Sequence, residues 1–163
     1  MIWAKPGTNN YYVRYVFDKC LLYITGDLGD AVVRLTESAN LKSLSSYIRS
    51  ISYFIEKIQC STDKYDFDEV LAIEELNKER NYHLEDVEDD DEISNINKIF
   101  DDLITAARDC EWEYAVHNED LYDRITDIDP DAFEWIDTVG RVYDRRVILW
   151  LVGLQMAWEQ IRE

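Results

Sequence analysis

The segment 127–131 comes closest to a metal-binding motif, because it places carboxylates at alternate positions, as the first half of a calcium-binding loop does. The remainder of such a loop is missing. Ala132 stands where the loop needs glycine, Thr138 stands where it needs a bidentate glutamate, and Pro130 interrupts the segment. The spacing therefore does not predict a calcium site.

Histidine and cysteine, which carry much of protein chemistry, are sparse. His83 and His117 are the only histidines, and neither belongs to an HxxxH or HExxH pattern. Cys20, Cys60 and Cys110 lie far apart, so we expect buried structural thiols rather than a disulfide framework or a zinc site. Phosphate-loop and serine-nucleophile motifs are also absent. The sequence thus assigns no catalytic residue, metal or cofactor, and we expect a protein that is not an enzyme.

Two glycines in the segment 26–30, Gly-Asp-Leu-Gly-Asp, raise the question of a phosphate-binding loop. The two aspartates beside them would repel a bound phosphate. Glycine adopts positive φ at little cost, and aspartate caps backbone N–H groups in turns. A turn between two strands is therefore the better interpretation.

Charge is the most informative property of the chain. The 163 residues carry 35 acidic and 17 basic side chains, a formal net charge of −18. Residues 1–84 contribute −2, whereas residues 85–163 hold 23 acidic and 7 basic groups, net −16. Binding to nucleic acid or to an anionic membrane needs clustered lysine and arginine, so we expect neither as a direct partner.

The acids are densest between Asp109 and Asp137, where eleven carboxylates accompany Arg124. Spacings of three to four residues within short helices would hold many of them on one outer face. Carboxylates displayed in this way can imitate the phosphates of a duplex, which predicts a partner with a basic nucleic-acid-binding channel. A solvated acidic face with no specific partner is the alternative. The candidate binding face comprises Glu111, Glu113, Glu119, Asp120, Asp123, Asp127, Asp131 and Glu134. A second candidate patch comprises Glu88, Asp89, Asp90, Asp91 and Glu92.

The elements that must position these acids begin with strands. Residues 11–17 alternate between two faces, residues 21–25 form a return strand, and residues 31–36 form a third. Such a sheet needs helices to cover one of its faces.

From residue 41 onward the hydrophobic period is that of helices. One helix is predicted to run to about Gln59 on a stripe that repeats every three or four residues: Leu41, Leu44, Ile48, Ile51, Ile55 and Ile58. Two further helices, over 67–80 and 93–114, flank an acidic linker at 85–92.

The C-terminal part predicts a short helix over 130–139, which Gly140 ends, and an apolar helix over 147–158. Because the last helix is apolar nearly all round, we expect it at the centre, with other helices packed around it.

These patterns predict a single α+β domain over 1–163. A small antiparallel sheet of about three strands within 1–38 would pack on a mainly helical body, 39–163. The N-terminus lacks the apolar core of a signal peptide, and the longest apolar run, 147–154, is too short to span a membrane, so we expect a cytoplasmic location. The tyrosine- and tryptophan-rich composition leaves room for a homodimer interface.

Residues 22–32, Leu-Tyr-Ile-Thr-Gly-Asp-Leu-Gly-Asp-Ala-Val, resemble a group of uncharacterised small acidic proteins encoded by phages and prophages of Gram-positive bacteria. A looser likeness extends to residues 52–54, 65–72 and 147–157. The resemblance implies a hairpin followed by a helical remainder and an origin in a mobile element. It also implies an anti-defence function, the class that includes anti-CRISPR proteins, and it carries over no catalytic residue.

Charge and resemblance together predict an inhibitor of a CRISPR effector nuclease, or of another nucleic-acid-binding defence complex, in the bacterial host cell. It would act as a DNA mimic in the nucleic-acid-binding groove of its target. Two alternatives stay open: a non-enzymatic phage accessory or assembly protein, and a small hydrolase that uses Asp and Glu with a divalent metal.

Overall fold

The computed structural model describes residues 1–5, 7–8, 10–109 and 111–161. Its internal contacts divide the chain into two units. Unit 1 comprises residues 1–65 together with 143–163, and unit 2 comprises residues 66–142. Unit 1 is thus discontinuous in sequence, and unit 2 is inserted between its two parts.

Both units contain strands and helices. In chain order they are β1 (Ile2–Trp3), β2 (Val13–Asp18), β3 (Leu21–Gly26), β4 (Ala31–Arg34), α1 (Leu41–Tyr47), α2 (Ile51–Glu56), β5 (Ile58–Ser61), β6 (Tyr65–Phe67), α3 (Glu69–Leu84), α4 (Asp90–Arg108), α5 (Trp112–Val116), α6 (Glu119–Ile128), 3₁₀ turns at Ala132–Glu134 and Ile136–Thr138, β7 (Arg141–Tyr143) and α7 (Arg145–Gln160).

The main sheet has the strand order β1-β2-β3-β4-β5, and every neighbouring pair is antiparallel. Alternation along β2 sets its two faces, since Tyr15 is buried and its neighbours Arg14 and Val16 are exposed. The register continues this division, because Tyr15 pairs with Ile24 on the inner face and Val16 pairs with Tyr23 on the outer face. The inner face forms the core of unit 1 with α1, α2 and α7.

The predicted sheet of about three strands is wrong, because the structure has a five-stranded sheet and a separate two-stranded sheet of β6 and β7. The short edge strand β1 pairs with β2, and β5 pairs with β4, where Val32 lies opposite Cys60. β1 was not predicted because a strand of two residues is too short to show an alternation of buried and exposed positions. β5 was not predicted because its segment has the apolar spacing of a helix. The sheet therefore draws on residues well beyond position 38.

The single helix predicted to about Gln59 is likewise replaced by α1, α2 and β5. Asn40 caps α1, with its side chain accepting from the Ser43 N–H, and Ser50 caps α2 by accepting from the Tyr53 N–H. These caps divide the segment, because a side chain that accepts from the backbone two or three residues ahead starts a new helix. Ile58 is buried in β5, where it continues the inner face of the sheet.

The helix α7 covers the inner face of the sheet. Trp150 is completely buried, and its indole Nε1 donates to the Leu28 carbonyl at 3.1 Å. The Tyr15 hydroxyl donates to the Trp150 carbonyl at 2.9 Å, and burial raises the pKa of Tyr15 far above its ordinary value. Gly153 faces Tyr15 and Trp3 with no room for a Cβ, which lets α7 lie close to the sheet.

The expectation that other helices surround α7 is wrong. One side of α7 packs on the core of unit 1, where α1 is its helical neighbour. The opposite side leaves four large apolar residues exposed: Ile148, Leu149, Val152 and Met156. An all-round apolar sequence does not distinguish a surrounded helix from one that is packed on one side only.

Unit 2 is organised around the paired helices α3 and α4, and its core joins residues such as Leu76, Phe100 and Ile125. α3 begins at Glu69, two residues later than predicted, and Asp68 caps it by accepting from the Leu71 N–H. Beyond it, the predicted linker 85–92 is shorter than expected, since α4 begins at Asp90.

The predicted helix over 93–114 also divides, because α4 ends at Arg108 and α5 begins at Trp112. The segment 130–139 forms two 3₁₀ turns rather than a helix. Gly140 ends it with φ +66°, and a Cβ there would lie 2.7 Å from both the Ala72 Cβ and the Phe67 ring. This position requires glycine for its backbone conformation and for its close packing.

The expectation of buried thiols is wrong for two cysteines, since Cys20 is half-buried and Cys60 is exposed. Cys110 lies outside the described residues. Across the part of the chain that the structure covers, no helix combines the length and the hydropathy needed to cross a membrane.

We expect Gly153→Ala to destabilise the fold by about 1–3 kcal/mol, although alanine favours helices, because the new methyl group overlaps the Tyr15 hydroxyl. Tyr15→Phe alone should cost about 1 kcal/mol through the lost hydrogen bond. Urea unfolding of both single variants and the double variant measures their coupling. Removal of the hydroxyl should lessen the cost of the alanine, so strictly additive costs would contradict this packing.

Asp144 caps α7 and gives a second prediction. Hydrogen bonds from the Arg146 side chain and backbone hold the pKa of Asp144 below its ordinary value. The pKa of Asp144 is thus lower in the folded chain than in the unfolded chain, where it is about 3.9. The carboxylate stabilises the fold above the pKa of the unfolded chain, and this stabilisation is lost as the pH falls through the pKa of the folded chain. Asp144→Asn should therefore cost about 1 kcal/mol at pH 7 and progressively less below about pH 4.

Urea unfolding at pH 7, 5 and 3 tests this prediction. Asp63→Asn is the matched control, because Asp63 also lies near Arg146, at 3.6 Å, but is largely exposed. The control should change the free energy of unfolding little. A cost of Asp144→Asn that is equal at pH 7 and pH 3 would show that the charge does not matter.

Candidate acidic interface

The net negative charge of the chain lies entirely in unit 2. Residues 66–142 hold 26 acidic and 6 basic side chains, net −20, whereas the two segments of unit 1 hold 9 acidic and 11 basic side chains, net +2. The division at residue 85 in the sequence missed part of this acidic unit, because α3 and the residues before it add six carboxylates: Asp66, Asp68, Glu69, Glu74, Glu75 and Glu79.

The helix α6 displays a regular stripe of carboxylates. Ile125 is buried in the core of unit 2, and Leu121 packs partly against it. Asp120, Asp123 and Asp127 are spaced three and four residues apart and are all exposed. α6 is therefore amphipathic, and its charged side faces solvent.

Buried neighbours hold the carboxylates before and after α6. Glu111 and Glu113 flank Trp112, which is buried and stacks on Phe67 at a ring distance of 6.0 Å. Asp131 and Glu134 are exposed on either side of the buried Ala132 in the first 3₁₀ turn. Glu119 is exposed in the first turn of α6.

The second patch lies at the start of α4. Asp89 is the N-cap, and its side chain accepts from the Glu92 N–H at 2.9 Å. Asp90, Asp91 and Glu92 form the first turn, where the positive end of the helix dipole favours carboxylates. Glu88 precedes the cap, and all five side chains are exposed. This patch thus combines surface charge with a structural cap.

Few cations neutralise these surfaces. Arg124 donates to Asp102 at 2.7 Å and lies 3.7 Å from Asp120, and Arg80 pairs with Asp101 at 3.0 Å. Among the described residues, Asp120 is the only one of the thirteen candidate carboxylates with an ion pair, and the other twelve have none. Most of the displayed charge therefore faces only solvent.

Asp129 differs from its acidic neighbours. It is half-buried and accepts from the Trp135 indole at 2.7 Å and from the Asp131 N–H at 3.0 Å. The Nε2 atom of His83 lies 3.5 Å from its carboxylate and is buried without a hydrogen-bond partner among the described residues. These contacts give Asp129 a role inside unit 2 that its place in an acidic sequence did not reveal.

Within the described ranges, no three His, Cys, Asp or Glu side chains are grouped so that they could hold a metal ion. Unit 1 has an open cavity of about 470 Å³, lined by residues that include Cys20, Arg34 and Glu56. Its Lys57 lies over the Tyr53 ring at 4.5 Å, so this cation already has a partner within the fold.

Comparison of the chain with protein-family models, curated proteins and solved structures finds no match.

Because Asp89 caps α4, we expect Asp89→Ala to lower the free energy of unfolding by about 1 kcal/mol. Glu88→Ala is the matched control, since it removes the same charge from an adjacent exposed residue with no capping contact. The control should change stability little. Thermal unfolding of the two variants measures the difference, and equal midpoints would contradict the capping role.

Proposed function

We propose that this protein is a non-enzymatic, phage-encoded inhibitor that binds a basic host protein in its nucleic-acid-binding groove. The proposed target is a CRISPR effector nuclease in the cytoplasm of the bacterial host, and the proposed mode is DNA mimicry. The observation that carries the proposal is the net charge of −20 on unit 2, with twelve candidate carboxylates that have no ion pair among the described residues.

Charge spacing supports mimicry. The helical rise of about 1.5 Å per residue separates Asp120 from Asp127 by about 10.5 Å along α6, with Asp123 between them. Three charges over this length lie about 5 Å apart, compared with about 3.4 Å along one DNA strand. The carboxylates of the stripe therefore have about two thirds of the linear charge density of a single strand. Arg124 offsets part of this charge at Asp120, and carboxylates on α5 and on the first 3₁₀ turn add to it.

Attachment to the folded core also supports the proposal. Each candidate acid after residue 110 lies on a helix or 3₁₀ turn, or directly before one, and these elements bury Trp112, Ile125 and Ala132. The backbone that carries the charges is already ordered, so binding does not have to order it. A disordered acidic tail with the same charge would lose affinity through that ordering cost.

Electrostatic competition has a recognisable dependence on salt. Carboxylates that replace phosphates in a basic groove displace the counterions bound to that groove. The electrostatic attraction between the acidic inhibitor and its basic target also accelerates association at low ionic strength. We therefore expect binding to weaken steeply as salt increases, and duplex DNA to compete with the protein for its target.

The first test is affinity capture of bacterial host proteins on the immobilised chain at low and moderate salt. Bound proteins are eluted with duplex DNA and identified by mass spectrometry. The expected result is a basic nuclease or nuclease complex that DNA displaces. Recovery only of partners indifferent to DNA and salt would overturn the proposal and favour an accessory or assembly role.

Charge reversal provides the residue-level test. The triple variant Asp123→Lys, Asp127→Lys and Glu134→Lys should weaken binding to the captured target by about 100-fold or more, because three attractive contacts become repulsive. Its circular dichroism should be unchanged, since all three side chains are exposed.

The matched control reverses three exposed acids of unit 1, Asp18, Glu37 and Glu56, to lysine. Both triple variants change the net charge by the same amount. Equal loss of binding would mean that net charge alone acts, and unchanged binding of the unit 2 variant would exclude these positions from the interface.

A further inference from the structure

The exposed side of α7 is a continuous stripe. Except for the adjacent pair Ile148 and Leu149, each residue on it follows the previous one by three or four positions, as neighbours on one helix face do. Its apolar members are exposed by 36–45 % of their surface, and a charged residue lies at each end: Arg145, Ile148, Leu149, Val152, Met156 and Glu159. The inner side of the same helix already forms the core of unit 1, so helix packing alone does not require this second apolar side.

The two charges stand at the ends of the helix that do not favour them. Arg145 lies in the first turn, where the helix dipole favours acids, and Glu159 lies in the last turn, where it favours bases. In the described part of the chain, neither side chain has an ion pair. Glu159 accepts a hydrogen bond from Gln155 at 3.0 Å, which keeps the carboxylate along the helix surface.

The stripe is symmetric about Val152 except at Leu149, whose counterpart across Val152 is Gln155. Arg145 and Glu159 each lie seven residues from it, about 10.5 Å along the helix, and Ile148 and Met156 each lie four residues from it. An antiparallel copy of the same stripe, with the two-fold axis at Val152, would place Arg145 opposite Glu159 twice and Ile148 opposite Met156 twice. A two-fold axis requires this kind of self-complementary surface.

We propose that the exposed stripe of α7 is the interface of a homodimer in which the α7 helices of two copies pack antiparallel. A second copy fits the charge pattern because the same two residues supply both partners of each ion pair. Unit 1, with a net charge of +2, also allows two strongly acidic chains to associate with little repulsion between the units in contact. This inference does not depend on the proposed function.

The interface is small. One helix stripe supplies far fewer residues than the roughly 20–30 per partner of a standard interface, so we expect a weak dimer with a dissociation constant in the range of about 1–100 μM. The dimer should therefore form and dissociate within accessible protein concentrations.

Sedimentation equilibrium of the full chain, from about 1 to 500 μM in buffer with moderate salt, tests the proposal. The average mass should rise from that of the 19.3 kDa chain towards twice that value. Arg145→Glu and Glu159→Arg should each raise the dissociation constant by about tenfold or more, since each places like charges opposite one another at two points. The double variant should restore the original value.

Both substitutions place charges where the helix dipole favours them, so they should not unfold α7. Val152→Asp, which brings two carboxylates together at the axis, should abolish the dimer. Arg14→Glu is the matched control, because Arg14 is exposed on the outer face of the sheet and makes the same change of charge.

A chain that stays monomeric throughout the concentration range would overturn the proposal. A dimer that survives Val152→Asp would place the interface elsewhere and equally overturn it. Weakening by both single variants without recovery in the double variant would exclude the antiparallel arrangement.

Discussion

The packing of α7 on the inner face of the sheet is the contact on which the rest of the structure depends. The hydrogen bond from Tyr15 to the Trp150 carbonyl joins residues 135 positions apart, and the Trp150 indole reaches back to Leu28. These contacts bring both parts of unit 1 into one core. Unit 2 is consequently a continuous segment, residues 66–142, inserted in the sequence between the two parts of unit 1.

Unit 2 must fold in spite of strong self-repulsion. A net charge of −20 over 77 residues destabilises any compact state. Part of that charge is accommodated at helix starts, where Asp68 and Asp89 cap α3 and α4 and further acids occupy the first turns. The rest is offset by a core that includes Leu76, Phe100 and Ile125, all completely buried. The unit therefore tolerates its charge because most of the acids lie at helix starts or on outer faces.

The sequence predicted the elements with strong local signals. The β2–β3 hairpin, the apolar stripe of α4 and the course of α7 all follow from periodicity, and the density of acids predicted that they would be exposed. β5 was missed because Ile58 continues a helical spacing and an inner strand face equally well. The local pattern does not show whether this segment forms a helix or a strand, because the strand depends on pairing with the edge of β4.

The candidate site was predictable to a similar degree. Exposure of the thirteen acids follows from composition, whereas their individual roles do not. Asp89 is a helix cap and Asp129 is the partner of the Trp135 indole, and both roles depend on backbone and ring positions that exist only in the folded unit. The acids of α3 were missed because the basic residues of unit 1 masked them when charge was summed over a linear stretch of chain.

The discontinuity of unit 1 fixes an order of events during synthesis. The strands leave the ribosome first, followed by the whole of unit 2, and α7 follows only then. Unit 2 is continuous and emerges complete before α7, whereas the inner face of the sheet, with Tyr15, Leu22 and Val33, is covered only by α1 and α2 until α7 arrives. Throughout that interval the nascent chain exposes part of an apolar surface and also carries a highly charged segment, whose charge opposes aggregation while the core of unit 1 is incomplete.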